Sequence, residues 1–191
     1  MVRLFFDTET TGLPKDYNAP SSALENWPRL VQLSWELYNE ECLISKADMI
    51  IRPDGFSIPE KLSEVHGITT EVALENGVDC KKAVYMFLGA AKLADVIVGH
   101  NVGFDMHVVG AELIRHWGKD YIENAATEDT MLASIQYCKI PAAKGPGWKW
   151  PKLQELHKKI FGEEFEDAHD SSADVAATAR CYFALKEEGI L

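Results

Sequence analysis

The chain has 191 residues, 47% hydrophobic and 26% charged, with a formal net charge of −11. This composition excludes the disordered class and suffices for one continuous core, so a single domain over residues 1–191 is expected. No long uncharged apolar run occurs and the N-terminus MVRLFFDTET lacks a secretory pattern, which excludes a transmembrane helix and points to a cytoplasmic protein with no membrane partner.

Taken in chain order, VRLFF (2–6) reads as a short buried strand that ends at two acids, Asp7 and Glu9. The Pro-, Ser- and Asn-rich stretch 14–29 reads as a surface loop. LVQLSWELY is a second strand and ADMIIRP a third, stopped by Pro53 and Gly55. Helical patterns follow at 59–66, 70–76 and 80–93, then the β-branched strand VIVG at 96–99. A helix over 104–117 is expected with Asn101 as its N-cap, then helices near 129–138 and 152–161 and a last one over roughly 171–188. Three early strands followed by alternating strands and helices predict one mixed α/β sheet flanked by helices.

Residues two apart on a strand face the same way, so Asp7 and Glu9 project together with Thr8 opposite. Such a pair is either two solvated acids or a set of oxygen ligands for a hard cation. Asp105 opens a helix after the turn GHNVGFD, where the helix dipole alone favours an acid. Asp174 lies on a nearly all-apolar helix, sharing a face with Thr178, Cys181 and Leu185; a capping box with Ser171 and a metal role are both open to it. His169 would lie about 140° from Asp174 on a continuous helix, so the two converge only if His169 sits in the preceding loop. There it suits a surface cap or a general base. His107, His116 and His157 read as helix-surface residues, while His66 and His100 are undecided. Cys42, Cys80, Cys138 and Cys181 form no CxxC pair and read as reduced, structural thiols rather than a zinc or disulfide framework. The stretch 139–159 sets six lysines and two tryptophans against the single acid Glu155: either a solvated loop or a basic, aromatic surface beside a nucleic-acid strand.

In order, FDTETTGLP, GHNVGFD and HDSSAD resemble the three motifs of the DnaQ-like, DEDDh-type 3′→5′ exonucleases, with the flavour of the proofreading epsilon type of DNA polymerase III. EVHGITTE (64–71) resembles a turn element of that family, and the likeness spans about residues 3–185. The resemblance implies an RNase H-like, mixed five-stranded sheet flanked by helices. It implies two Mg²⁺ ions, replaceable by Mn²⁺, held by Asp7, Glu9, Asp105 and Asp174, with His169 deprotonating the attacking water. It also assigns Thr10, Leu13 and His66 to the terminal nucleotide. A loop longer than the family minimum at 14–29, and Lys61 where many members carry an acid, depart from the pattern.

The expected activity is therefore release of nucleoside 5′-monophosphates from the 3′ end of single-stranded nucleic acid, DNA favoured, in repair or proofreading. An oligoribonuclease-like RNA exonuclease and a subunit that works by docking to a polymerase are the alternatives. The short stretch after the last helix favours the freestanding enzyme. The acidic net charge predicts distributive turnover that falls as salt rises.

Overall fold

A computed structural model describes residues 1–191. Its centre is a sheet of β1 (Val2–Thr10), β2 (Leu30–Asn39), β3 (Cys42–Ile50), β4 (Val96–Gly99) and β5 (Thr127–Asp129), in the order β3-β2-β1-β4-β5. β2 is antiparallel to β1 and β3, whereas β1, β4 and β5 are parallel. The helices are α1 (Glu60–His66), α2 (Thr70–Asn76), α3 (Cys80–Ala91), α4 (Val102–Trp117), α5 (Thr130–Ala133), α6 (Ile135–Cys138), α7 (Leu153–Phe161) and α8 (Ser171–Glu187). None is long and apolar enough to cross a membrane.

The alternation along β1 decides which helix covers which face. Leu4 and Phe6 are buried in a cluster with Phe87 of α3 and Val108 and Val109 of α4. Phe5 points the other way, into a cluster with Val175, Ala179 and Tyr182 of α8. Truncating either phenylalanine to alanine would cost about 3–5 kcal/mol. Continued along the strand, the same alternation carries Asp7 and Glu9 to the α8 face and Thr8 to the α4 face.

Several expectations are corrected. β1 continues to Thr10, past the acids, and the third strand is Cys42–Ile50, an exposed sheet edge that starts earlier than its apolar run. α4 begins at Val102, and Asn101 does not cap it with its side chain; Asn101 adopts φ 73° and its N–H donates to Asp129 Oδ1 at 3.1 Å. The 129–138 helix is two short helices broken at Ser134, whose buried hydroxyl bonds back to the Thr130 carbonyl at 2.6 Å.

The N-cap of α8 is Asp170, not Ser171 in a box with Asp174; Asp170 accepts from the N–H groups of Ser172 and Ala173. His157 is buried rather than on the surface: its Nδ1 donates to the Glu163 carbonyl at 2.8 Å and its ring packs against Phe161 and Phe165. His107 and His116 are half-buried, His107 stacked on Trp27.

The second half of the 14–29 segment is no free loop. Trp27 is buried, Arg29 Nε donates to the fully buried Glu112 at 2.7 Å, and Arg115 ties Glu112 to the Leu24 and Trp27 carbonyls. This network clamps the segment that follows the first motif onto α4.

Candidate active site

The site forms where parallel β1, β4 and β5 end on one edge of the sheet. Asp7 pairs with Ser34 and Glu9 with Gln32 on β2, and the register shifts just past Glu9. Those two β2 residues also set the position of α8. Ser34 Oγ lies 2.6 Å from Ser171 Oγ, and the Ser171 N–H donates to Gln32 Oε1 at 3.4 Å. Polar residues opposite the acids thus lock the start of the last helix beside them. Asp174 follows one turn into that helix, and its carboxylate accepts the His169 N–H at 3.3 Å. His169, at φ 74°, lies in the preceding loop with its side chain exposed. Glu9, His169 and Asp174 offer donor atoms all within 4.8 Å of one another.

Asp105 reaches the cluster from the α4 face. It is buried, and Thr8 Oγ1 donates to its Oδ1 at 2.6 Å. The residue between the paired acids therefore orients the third one. Asp129, at the end of β5, holds the β4–α4 turn through the Asn101 N–H and caps α5 through Met131.

Electrostatically the cluster is frustrated. Burial, then the charges of Asp105, Asp174, Glu9 and Asp170, hold the Asp7 carboxyl well above the usual carboxylate range. Burial and then Asp174, Asp105 and Asp170 raise Glu9 to about 8. Burial raises Asp105 to about 7 against the opposing hydrogen bonds from Thr8, and Asp174 to about 6 against the His169 N–H. None of the protein's ion pairs involves these four acids. Converging oxygen donors with no lysine or arginine among them fit a hard divalent cation.

The remaining expected residues are placed less uniformly. His66 is buried at the end of α1, its pKa lowered by burial, and near enough to His169 to feel its charge. Thr10 is buried with its hydroxyl donating to the Gly12 carbonyl, and Leu13 is 72% exposed. A cleft of about 610 Å³ lies beside the cluster rather than on it; it runs from Lys46 and Asp48 of β3 past His66 to His169. Asp170, Asp129, Gln32 and Ser34 escaped the reading of the sequence. For Gln32 and Ser34 the available signal was two polar residues on alternate positions of an otherwise apolar strand.

Fold and site together define a protein of the RNase H-like exonuclease type. Residues 4–182 match the family model RNase_T, described as exonuclease. The chain belongs to this exonuclease family, a family of nuclease hydrolases, and the resemblance drawn from the three motifs holds at that level. Over 185 residues it is 30% identical to a PolC-type DNA polymerase III of Pediococcus pentosaceus, covering 96% of this chain and 11% of that protein. Solved structures of Escherichia coli exonuclease I share the fold. The complex with a dA16 oligonucleotide has a TM-score of 0.75 at 22% identity, covering 97% of this chain and 41% of that one. The zinc-ion-bound form with single-stranded DNA has a TM-score of 0.75 at 22% identity, covering 98% and 40%.

Proposed function

We propose that the chain removes nucleotides from the 3′ end of single-stranded nucleic acid, DNA favoured, by metal-assisted hydrolysis that releases nucleoside 5′-monophosphates. The observation that carries this reading is the convergence of Asp7, Glu9, Asp105 and Asp174 with no cationic side chain between them. Asp7, Glu9 and Asp174 would hold one Mg²⁺ or Mn²⁺, and Asp7 a second, with Asp105 completing the set. Two such ions, when bound, stabilise the charge on the attacking and leaving oxygens of an in-line displacement.

The chain's own residues supply the rest. His169, exposed at the lip of the cluster, would take the proton of the attacking water. Its backbone N–H on Asp174 couples the loop that carries the base to the helix that carries the acid. Leu13 offers an exposed apolar surface to a terminal base, Thr10 shapes the turn before it, and His66 faces the adjoining cleft. Similarity to a stretch of a PolC-type polymerase supports a proofreading or repair setting with a polymerase as partner. The exonuclease I complexes support single-stranded DNA as the substrate.

The test is a ladder of 5′-labelled DNA and RNA oligonucleotides with Mg²⁺, Mn²⁺ or EDTA. Shortening from the 3′ end is expected, dependent on metal and abolished in Asp7→Ala. His169→Asn should slow it about 10²–10⁴-fold, the range for a lost general base. Asparagine is the choice because it tolerates the left-handed backbone at this position. No cleavage by the wild type with either metal would sink the freestanding-enzyme reading in favour of a partner-dependent subunit.

A further inference from the structure

The segments that follow β1, β4 and β5 all emerge on the edge that carries the acids, and the segment beyond α6 returns to it. His100, at the end of β4, bonds through Nδ1 to Thr130 Oγ1 and donates through Nε2 to the Pro151 carbonyl, both at 2.9 Å. Between Cys138 and Pro151 the chain makes a small hairpin. It is closed by the Pro141–Trp148 bridge and by hydrogen bonds from Ala142 to Gly147 and from Lys149 to Ile140. This anchored hairpin leaves Trp148 and Trp150 41% and 63% exposed.

Lys139, Lys144 and Lys152, in the same stretch, enter no ion pair, whereas Lys149 is neutralised by Glu155. In a chain of net charge −11, unpaired lysines interleaved with open indole faces stand out. An acidic protein surface would answer the lysines and leave the indoles uncovered. A single-stranded nucleic acid answers both, through its phosphates and the faces of its bases.

We infer that the hairpin 139–152 is a docking surface for the single strand upstream of the 3′ end held at the carboxylates. This rests on the exonuclease reading above and gives that site its grip on a long substrate. Near the acids the phosphodiester chain meets repulsion; the hairpin offsets it with positive charge and stacking on the same edge of the sheet.

The experiment compares a dodecamer, as DNA and as RNA, with the p-nitrophenyl ester of thymidine 5′-monophosphate, which is too short to reach the hairpin. Trp150→Ala should raise KM for the dodecamer about fivefold or more, the effect of losing one base stack, and turn over the ester at the wild-type rate. Trp150→Phe should restore the dodecamer KM. Replacing both Lys139 and Lys144 by alanine should flatten the slope of log KM against log salt by about 1.4. An unchanged dodecamer KM and salt slope in these variants would overturn the inference while leaving the exonuclease reading intact. If the wild type cleaves neither substrate, the freestanding-exonuclease reading fails. Titration in EDTA followed by tryptophan fluorescence then decides the surface: a quench that Trp150→Ala removes supports it, and no quench overturns it.

Discussion

Glu9→Gln isolates the frustration at the centre of the site. Glu9 is raised from the ordinary 4.5 to about 8, burial first and the neighbouring acids after it. Below the ordinary value both folded and unfolded chains hold the proton, and nothing is lost. As pH rises towards 8, the unfolded chain releases a proton that the folded chain retains, so stability falls. At pH 7 a single group so displaced costs up to about 3 kcal/mol. The upper figure applies only if the other acids do not relax around it. Glutamine removes the titration and keeps the shape. Without metal, the variant should therefore melt above the wild type at pH 7, by up to about 6–12 °C for a domain of this size, and nearly match it at pH 5. Added Mg²⁺ or Mn²⁺ should raise the wild-type Tm by mass action and raise that of the variant, which keeps Asp7, Asp105 and Asp174, by less. Thermal melts across pH, with EDTA or metal, make the measurement. Superimposable melts of the two proteins at every pH would refute the reasoning, because the cluster would then be neither strained nor cation-dependent.

Two other perturbations address the groups behind the cluster. Thr8→Val removes the hydroxyl that holds Asp105 and should lower activity or metal affinity about 10–100-fold with Tm little changed, while Thr8→Ser restores both; steady-state kinetics against Mg²⁺ concentration reads this out. Glu112→Ala leaves the partly buried Arg29 and Arg115 without their shared carboxylate and should cost up to about 3 kcal/mol, a Tm drop of about 6–12 °C at most by circular dichroism. A loss under about 1 kcal/mol would show that the clamp on the 14–29 segment is not structural.

What could be read in advance, and what could not, follows from the range of the forces involved. The alternation of β1 places Asp7 and Glu9 on one face whatever the rest of the chain does, and the early position of Asp105 in its helix follows from the preceding turn. The position of His169 outside α8 was open, because it depends on where that helix starts. The start is set by Asp170 and by Ser171 reaching across to Ser34 and Gln32 on β2, contacts made over more than a hundred residues of chain. Trp27 and Arg29 looked like surface residues because their partners, His107 and Glu112, lie on α4. His157 differs in that the residues that bury it are near in sequence, Phe161 at the end of its own helix and Phe165 in the loop beyond, and the loop folds back over the ring only in the tertiary structure.

The two faces of β1 explain why the site needs both helices. A strand can present Asp7 and Glu9 together only on one side, and the α8 face supplies Asp174 there. Asp105 comes from the other side, and a carboxylate brought in by α4 would sit too deep to stay charged without a donor. Thr8, between the two acids and pointing to that side, is the donor, and its hydrogen bonds lower the Asp105 pKa against the burial that raises it. The triplet Asp7-Thr8-Glu9 therefore acts as one unit across the sheet: its ends aim carboxylates into the site from one face, and its middle residue positions the carboxylate arriving from the other.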